Sequence, residues 1–282
     1  MKKRTGRKVI TVILVVIVCM FALFPFVWMI STSFKTAGEV YSKTPSFIPK
    51  AATMQGYKEM LTTHSTTFNF MQWLGNSVIV SLLTTAFSMI IATLGGYGIS
   101  RFRFRGRGFL SYFILTTQVL PGSLLIIPLY VIMGNLQLLD TKIGLVAAYC
   151  TFSIPFCTWM MKGFFDTIPR SIDEAAYIDG ATKWNVFRRI TIPLSKSIIV
   201  YTVLTSFIAP WIDFVLAKVI IGTDAKYYTV AIGLWNMLEK ENIYQWYTRF
   251  AAGAVCVSIP IAVLFLFMQR CYTDGLTGAV KG

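Results

Sequence analysis

The chain alternates long apolar runs with polar segments. The first run, Val9 to Ile30, holds 22 residues without a charge and follows the basic stretch MKKRTGRK. A hydrocarbon core of about 30 Å needs roughly 20 apolar residues of helix, so residues 9–30 predict a membrane-crossing helix behind a short N-terminus at 1–8. A signal peptide has a shorter apolar region and a small-residue cleavage site; this run is expected to stay on the chain. Five further stretches of spanning length follow at 74–100, 109–133, 143–161, 198–221 and 249–268. The pattern predicts an all-α membrane protein of six transmembrane helices, with a core at 74–282. The segments between the spans are 31–73, two short turns, 162–197 and 222–248, and residues 269–282 form the tail.

Breakers inside the spans suggest where they bend or pack. Gly95, Gly96 and Gly98 in the second span permit close helix contact. The third contains Pro121-Gly122 and Pro128, the fourth Pro155, and the fifth Pro210 and Asp213. Such breaks survive in lipid only where protein or a water-filled cavity satisfies the freed backbone groups, so they either line a pathway or are packing kinks. Asp213 is read as a buried polar contact at a helix interface or as a candidate for the translocation path. Lys218 lies five residues from it, a poor fit to helical pairing.

Composition agrees: 282 residues are 55% hydrophobic and 13% charged, with mean hydropathy +0.64. Soluble proteins carry about a quarter charged residues. A net charge of +14 would suggest nucleic acid in a soluble protein, but in a membrane protein it reflects Lys/Arg retained inside and contact with anionic lipid. Seventeen of the 26 Lys/Arg fall in 1–8, 101–107, 162–196 and the tail, against eight in the longer segments assigned outside. That bias puts both termini in the cytoplasm. It also makes RFRFRGRG, Arg101 to Gly108, a positive inside loop with interfacial aromatics rather than a nucleic-acid patch. Cys150 and Cys157 lie seven apart on one helical face and predict structural burial. Cys19, Cys256 and Cys271 show no disulfide spacing, and the single histidine, His64, is expected at the surface; no metal site is expected.

The most informative polar segment is Ile168 to Ser197. Pro169 should end the preceding span. Ser171 and Glu174 have capping-box spacing, and Asp173 and Glu174 suit a helix N-terminus. A helix is predicted from Ile172 to about Asp179, ended by a left-handed Gly180. Thr182 should cap a second helix running from Lys183 to about Ile190 and stopping before Pro193. Ala175, Ala176 and Ala181 leave a smooth surface that another protein can approach.

This pattern resembles the EAA loop in the membrane subunits of binding-protein-dependent ABC importers: Glu174-Ala175-Ala176, three residues, Gly180 flanked by Asp179 and Ala181, then Ile190 and Ile192-Pro193. Ile192 stands where leucine is usual, and Ser197 where a second proline often follows. The terminal GLTGAVKG is similar to the closing G-L-T-x-G-x-V-K-G of maltose-type sugar permeases, one residue shorter. Ser206 to Phe214 resembles their W-N-D-F region, with Ile212 in place of asparagine, and the stretch from Tyr227 to Arg270 resembles their last external loop and helix. The resemblance covers most of the chain from about residue 75.

It implies the type I importer permease (MetI-like) fold and the smaller membrane subunit of a carbohydrate importer in a bacterial or archaeal plasma membrane, with a di- or oligosaccharide as cargo. Glu174, Ala175, Ala176, Asp179, Gly180 and Ala181 would be the coupling helix, seated in a cytoplasmic ATPase dimer. Gly275, Leu276, Thr277, Gly278, Lys281 and Gly282 would reach between the ATPase subunits. A second homologous permease subunit and an external sugar-binding protein would complete the assembly. The chain has no G-x-x-x-x-G-K-[ST] loop and no Gly-Lys dipeptide, so nothing in it cradles ATP phosphates; ATP and Mg²⁺ would bind the partner. No nucleophile–base pair suggests catalysis. The alternative is a self-contained secondary carrier or channel built on the broken helices.

Overall fold

The computed structural model describes residues 2–44, 46–65, 68–239 and 243–279. Apart from short turns of other helical types, its regular structure is α-helical throughout these residues. Helix α1 (Lys2–Ser33) takes in the basic N-terminus as well as the first apolar run. Two short helices follow: α2 (Ala37–Val40), capped by Thr36, and α3 (Gln55–Thr62). Helix α4 (Phe70–Arg101) runs unbroken for 32 residues.

The third apolar stretch is not one helix. It forms α5 (Arg107–Val119) and α6 (Gly122–Asn135), bent by 102° at Leu120-Pro121. The residue before a proline is pushed out of the α region, and Leu120 accordingly has φ −70°, ψ 127°. Pro128 lies inside α6. Helix α7 (Lys142–Thr167) is again continuous, with Thr141 accepting the Gly144 N–H at its start. After α8 (Arg170–Ile178) and α9 (Lys183–Val186), a π-turn at Phe187–Thr191 leads into α10 (Ile192–Leu194). Helix α11 (Lys196–Ile212) contains Pro210; α12 (Val215–Ile220) follows a break at Asp213-Phe214. Helices α13 (Val230–Met237) and α14 (Ile243–Ala279) complete the chain.

Among the described residues, four helices are each long and apolar enough to cross a membrane, and six spans result if each bent pair counts as one. The pairs are α5 with α6, and the 183–194 segment with α11, which meet at 77°.

The chain divides into two compact units. One comprises Met1–Phe70 and Gly233–Ile259. Its core holds Met60, Phe68, Phe70, Met237, Ala251 and Ala252, all buried. Arg249 pairs with Glu59 at 2.5 Å and lies over the Trp246 ring, which packs on Phe68. Burial raises the Glu59 carboxyl, but hydrogen bonds from Gln55 and Arg249 outweigh it and hold it below the usual range. His64 is exposed, as expected.

The other unit comprises Met71–Ile232 and Pro260–Gly282. Its core joins α4, α7 and the π-turn through Ala92, Tyr97, Cys157, Met161, Phe165 and Phe187. Gly96 makes the close approach expected of the glycine group. A Cβ there would lie 2.8 Å from Met161 Cβ and 3.0 Å from the Lys162 nitrogen. Gly98 faces open space. The 222–230 segment is pinned within this unit. Asn76 donates to the carbonyls of Lys226 and Tyr228, and Ser77 accepts from Val230 N. Asp140, itself at φ 52°, accepts from the N–H and hydroxyl of Thr223 and from Asp224 N. Partial burial raises the Asp140 carboxyl, but these donors prevail and hold it below the usual carboxylate range.

Candidate functional site

The 168–197 segment folds as two short helical pieces around a glycine, with two departures from the sequence expectation. Helix α8 begins at Arg170 with Pro169 as its N-cap, two residues earlier than the Ser171 cap requires. Pro169 at φ −57°, ψ 132° already sets the entry geometry. Ser171 therefore lies inside the helix, and no side chain caps it. The second departure is at Pro193, which does not stop the helix. The π-turn at 187–191 widens the ladder ahead of it, and Pro193 falls in the first turn of α10, where its missing N–H is tolerated. Two expectations hold: Gly180 is left-handed at φ 81°, and Thr182 Oγ1 accepts the Asn185 N–H at 3.3 Å.

The outer face of this segment is exposed and partly apolar. Ile178 is 87% and Trp184 58% exposed, with Ile172 and Tyr177 near 40%. Glu174, Ala175, Asp179 and Gly180 are exposed beside them; Ala176 and Ala181 are half-buried. Glu174 has no ion pair among the described residues. It lines an open cavity of about 410 Å³ with Arg101, Arg103, Arg170 and Lys183. Clustered exposed apolar side chains rimmed by charge suit contact with another protein or with a membrane surface, and covering a residue such as Ile178 contributes about 1.5–3 kcal/mol.

The inner face is anchored. Arg101, the last residue of α4, places Nε 3.0 Å from Asp173 Oδ2, with side chains only 5% and 8% exposed. The same guanidinium donates to the Ile168 carbonyl at 3.0 Å. Arg170 donates back to the Ser100 carbonyl, and Ser100 donates to Asp166, which Lys162 pairs at 2.8 Å. Sequence reasoning missed this root. It treated Arg101 as one of four loop arginines and gave Asp173 to the helix dipole. The available signal was position: Arg101 ends an apolar run, whereas Arg103, Arg105 and Arg107 follow it.

Asp213 sits at the α11–α12 break with definite partners. Tyr149 of α7 donates to it at 2.9 Å, and its carboxylate accepts the Ala217 N–H at 3.1 Å, capping α12. Lys218 turns instead to Tyr228, whose hydroxyl lies 3.4 Å away. The two charges are thus not a pair, as their spacing suggested. Nearby, Ser153, Cys157 and Ser206 form a small polar cluster across α7 and α11, with the two hydroxyl oxygens 3.1 Å apart. Cys150 and Cys157 are both buried, as expected from their shared face.

Of the C-terminal motif, Gly275, Leu276, Thr277 and Gly278 belong to α14, while Lys281 and Gly282 lie outside the described residues. No group of three or more metal-ligating side chains comes together among the described residues.

Comparison with known proteins now bears on this arrangement. Residues 88–273 match the model of the binding-protein-dependent transport system inner membrane component. The chain is 35% identical over 281 residues to the galactooligosaccharides transport system permease protein GanQ of Bacillus subtilis (strain 168), covering 99% of this chain and 98% of that one. It is 38% identical over 214 residues to the maltodextrin transport system permease protein MdxG of the same organism, covering 76% of each. Its fold is similar, with a TM-score of 0.80 at 23% identity, to a chain of a bacterial ABC transporter involved in the import of the acidic polysaccharide alginate, over 96% of this chain and 98% of that one. The chain is a multi-pass membrane protein that belongs to the family of binding-protein-dependent transport system inner membrane components.

Proposed function

We propose that this permease carries a di- or oligosaccharide into the cell as the smaller of two homologous membrane subunits, with α8 as its coupling helix to a cytoplasmic ATPase dimer. The observation that carries the coupling role is the two-faced construction of α8: Glu174 and Ile178 project outward while Asp173 is buried against α4. A nine-residue helix with a bare apolar face gains little by folding alone, but a cleft in a partner would bury that face. Glu174, without an ion pair of its own, suits a basic group on that partner. Gly275 to Gly282 would add a second contact with the ATPase.

The cargo class is supported by the names of the relatives, which handle galactooligosaccharides and maltodextrin. An external binding protein would deliver the sugar, ATP and Mg²⁺ would bind the partner, and both termini would lie in the cytoplasm on the positive-inside bias. The breaks at Leu120-Pro121 and Asp213-Phe214 fit a translocation path, since irregular backbone at membrane depth needs a protein or water-lined setting. Asp213, held between Tyr149 and the α12 N-terminus, is the polar group assigned to it.

Two variants test the coupling role. Glu174→Lys reverses the exposed charge, and Gly180→Pro replaces a φ of 81° with a ring fixed near −65°. Both are expected to abolish sugar uptake while the chain still inserts in the membrane. Normal uptake by both would remove the assignment. Mild-detergent purification from native membranes should recover a P-loop ATPase and a second EAA-bearing subunit; a chain that stays alone even after crosslinking in cells would return the carrier alternative.

A further inference from the structure

We propose that the Arg101–Asp173 pair is a coupling strut that makes α8 and the end of α4 move as one body. The inference rests on the coupling role proposed for α8. It adds a route: a push on residues 170–178 is delivered to the membrane-crossing helix α4, to which α8 has no near connection in sequence.

The covalent connections of α8 are poor transmitters. Ile168 and Pro169 join it to α7 in extended backbone, and Asp179 to Thr182 join it to α9 through the left-handed Gly180. Rotation about these few residues would absorb a displacement before it reached a spanning helix. The cross-links to α4 bypass them. Arg101 meets two separate targets: its Nε lies 3.0 Å from the Asp173 carboxylate on α8 in an ion pair without hydrogen-bond geometry, and its other end donates to the Ile168 carbonyl in the linker at 3.0 Å. The guanidinium holds its donors in a fixed planar fork that spans the two targets, whereas an ammonium is a compact charge on a flexible stem. Arg170, the first residue of α8, returns a bond to Ser100.

The pair is also poorly explained as a stabilising device. Buried ion pairs are often matched or bettered by apolar residues of similar volume, and Asp173 Oδ1 is left without a partner. What such a pair does supply is a fixed orientation between two elements. Here it fixes the helix that presents Glu174 and Ile178 against the end of a 32-residue helix.

Asp173 and Arg101 are positioning residues, so the test must separate coupling from assembly. The complete transporter would be reconstituted with its second membrane subunit, ATPase and binding protein. Sugar uptake and ATP hydrolysis would be measured per assembled complex for Asp173→Asn, Arg101→Lys and the reciprocal swap Arg101→Asp/Asp173→Arg. Uptake per ATP hydrolysed is expected to fall at least tenfold in Asp173→Asn and less in Arg101→Lys, with partial recovery in the swap. A pair that only holds the fold together would lower the amount of complex and leave that ratio unchanged; an unchanged ratio in Asp173→Asn overturns the strut. Should Asp173→Asn fail to assemble, Arg101→Lys decides, because it keeps the charge and loses only the fork: a wild-type ratio there overturns the proposal. Glu174→Lys is measured alongside. If it uncouples and the strut variants do not, the coupling helix stands without the strut; if none uncouples, both readings fall.

Discussion

Helices α1 and α7 each present a 26-residue candidate span, yet they are opposites in composition and burial. The α1 span has mean hydropathy 3.0 and none of its most apolar window buried; the α7 span has 1.5 and 44% buried. In a soluble protein the ranking would be reversed. Lipid tails are as apolar as leucine, so apolarity gives a membrane helix no reason to leave them. Close backbone approach and polar contacts do. Helix α7 has both: Met161 against Gly96, Tyr149 on Asp213, and the Ser153–Cys157–Ser206 cluster. The Val, Ile and Phe side chains of α1 from Val9 to Phe26 are exposed, Phe21 at 84%.

The largest contrast should come from truncating one apolar residue on each helix. Met161→Ala empties a fully buried position and should cost about 2–5 kcal/mol, read as lower yield and earlier thermal unfolding in detergent. Phe21→Ala should leave both unchanged for the isolated chain. A loss seen only in the assembled complex would instead show that another subunit covers α1.

Next in size is a pair of neighbouring glycines. Gly96→Leu drives a side chain into Met161 and the α7 backbone and should cost at least about 1–3 kcal/mol. Gly98→Leu, with nothing within 4 Å, should be tolerated. Equal sensitivity of the two would mean that the α4–α7 approach is not where the structure has it.

A smaller effect is expected at Ser206→Ala. Interhelical hydrogen bonds in membranes average about 0.6 kcal/mol, so the loss should be just measurable by unfolding in denaturing detergent. A loss several times larger would mark the cluster as more than packing.

The smallest effect is one of pH at Glu59. Its carboxyl titrates below the ordinary value in the folded chain. Its contribution is therefore complete above the unfolded pKa of about 4.3 and disappears as pH falls through the folded value. Glu59→Gln should flatten the acid limb of a stability–pH curve, with its small cost present at neutral pH and vanishing as pH falls through the folded value.

Much of this was legible in the chain because it depends on local chemistry. Apolar runs of spanning length, Gly180 in the left-handed region and the Thr182 cap each follow from a few adjacent residues. The break at Leu120-Pro121 was legible as a proline, but its 102° angle was not, because Pro155, Pro210 and Pro260 lie inside α7, α11 and α14. A proline permits a bend; its neighbours decide whether one occurs. The root of the 168–197 segment was hidden for a different reason. Arg101 and Asp173 are joined only by the fold, and each had a sufficient local explanation, one as a positive-inside charge and the other as a helix-dipole residue. Asp140 was passed over similarly, as part of a short turn, although it holds the 222–224 backbone in place.

If α8 is the coupling helix, its exposed face meets an ATP-hydrolysing partner. Ile178→Cys, in a chain whose five native cysteines are replaced by serine, tests it directly by crosslinking in intact membranes with a short thiol-to-amine reagent. A crosslinked product containing the ATPase subunit is expected from Ile178→Cys and not from a control cysteine at Phe21. Crosslinking to no protein, or equally from both positions, would contradict the coupling role.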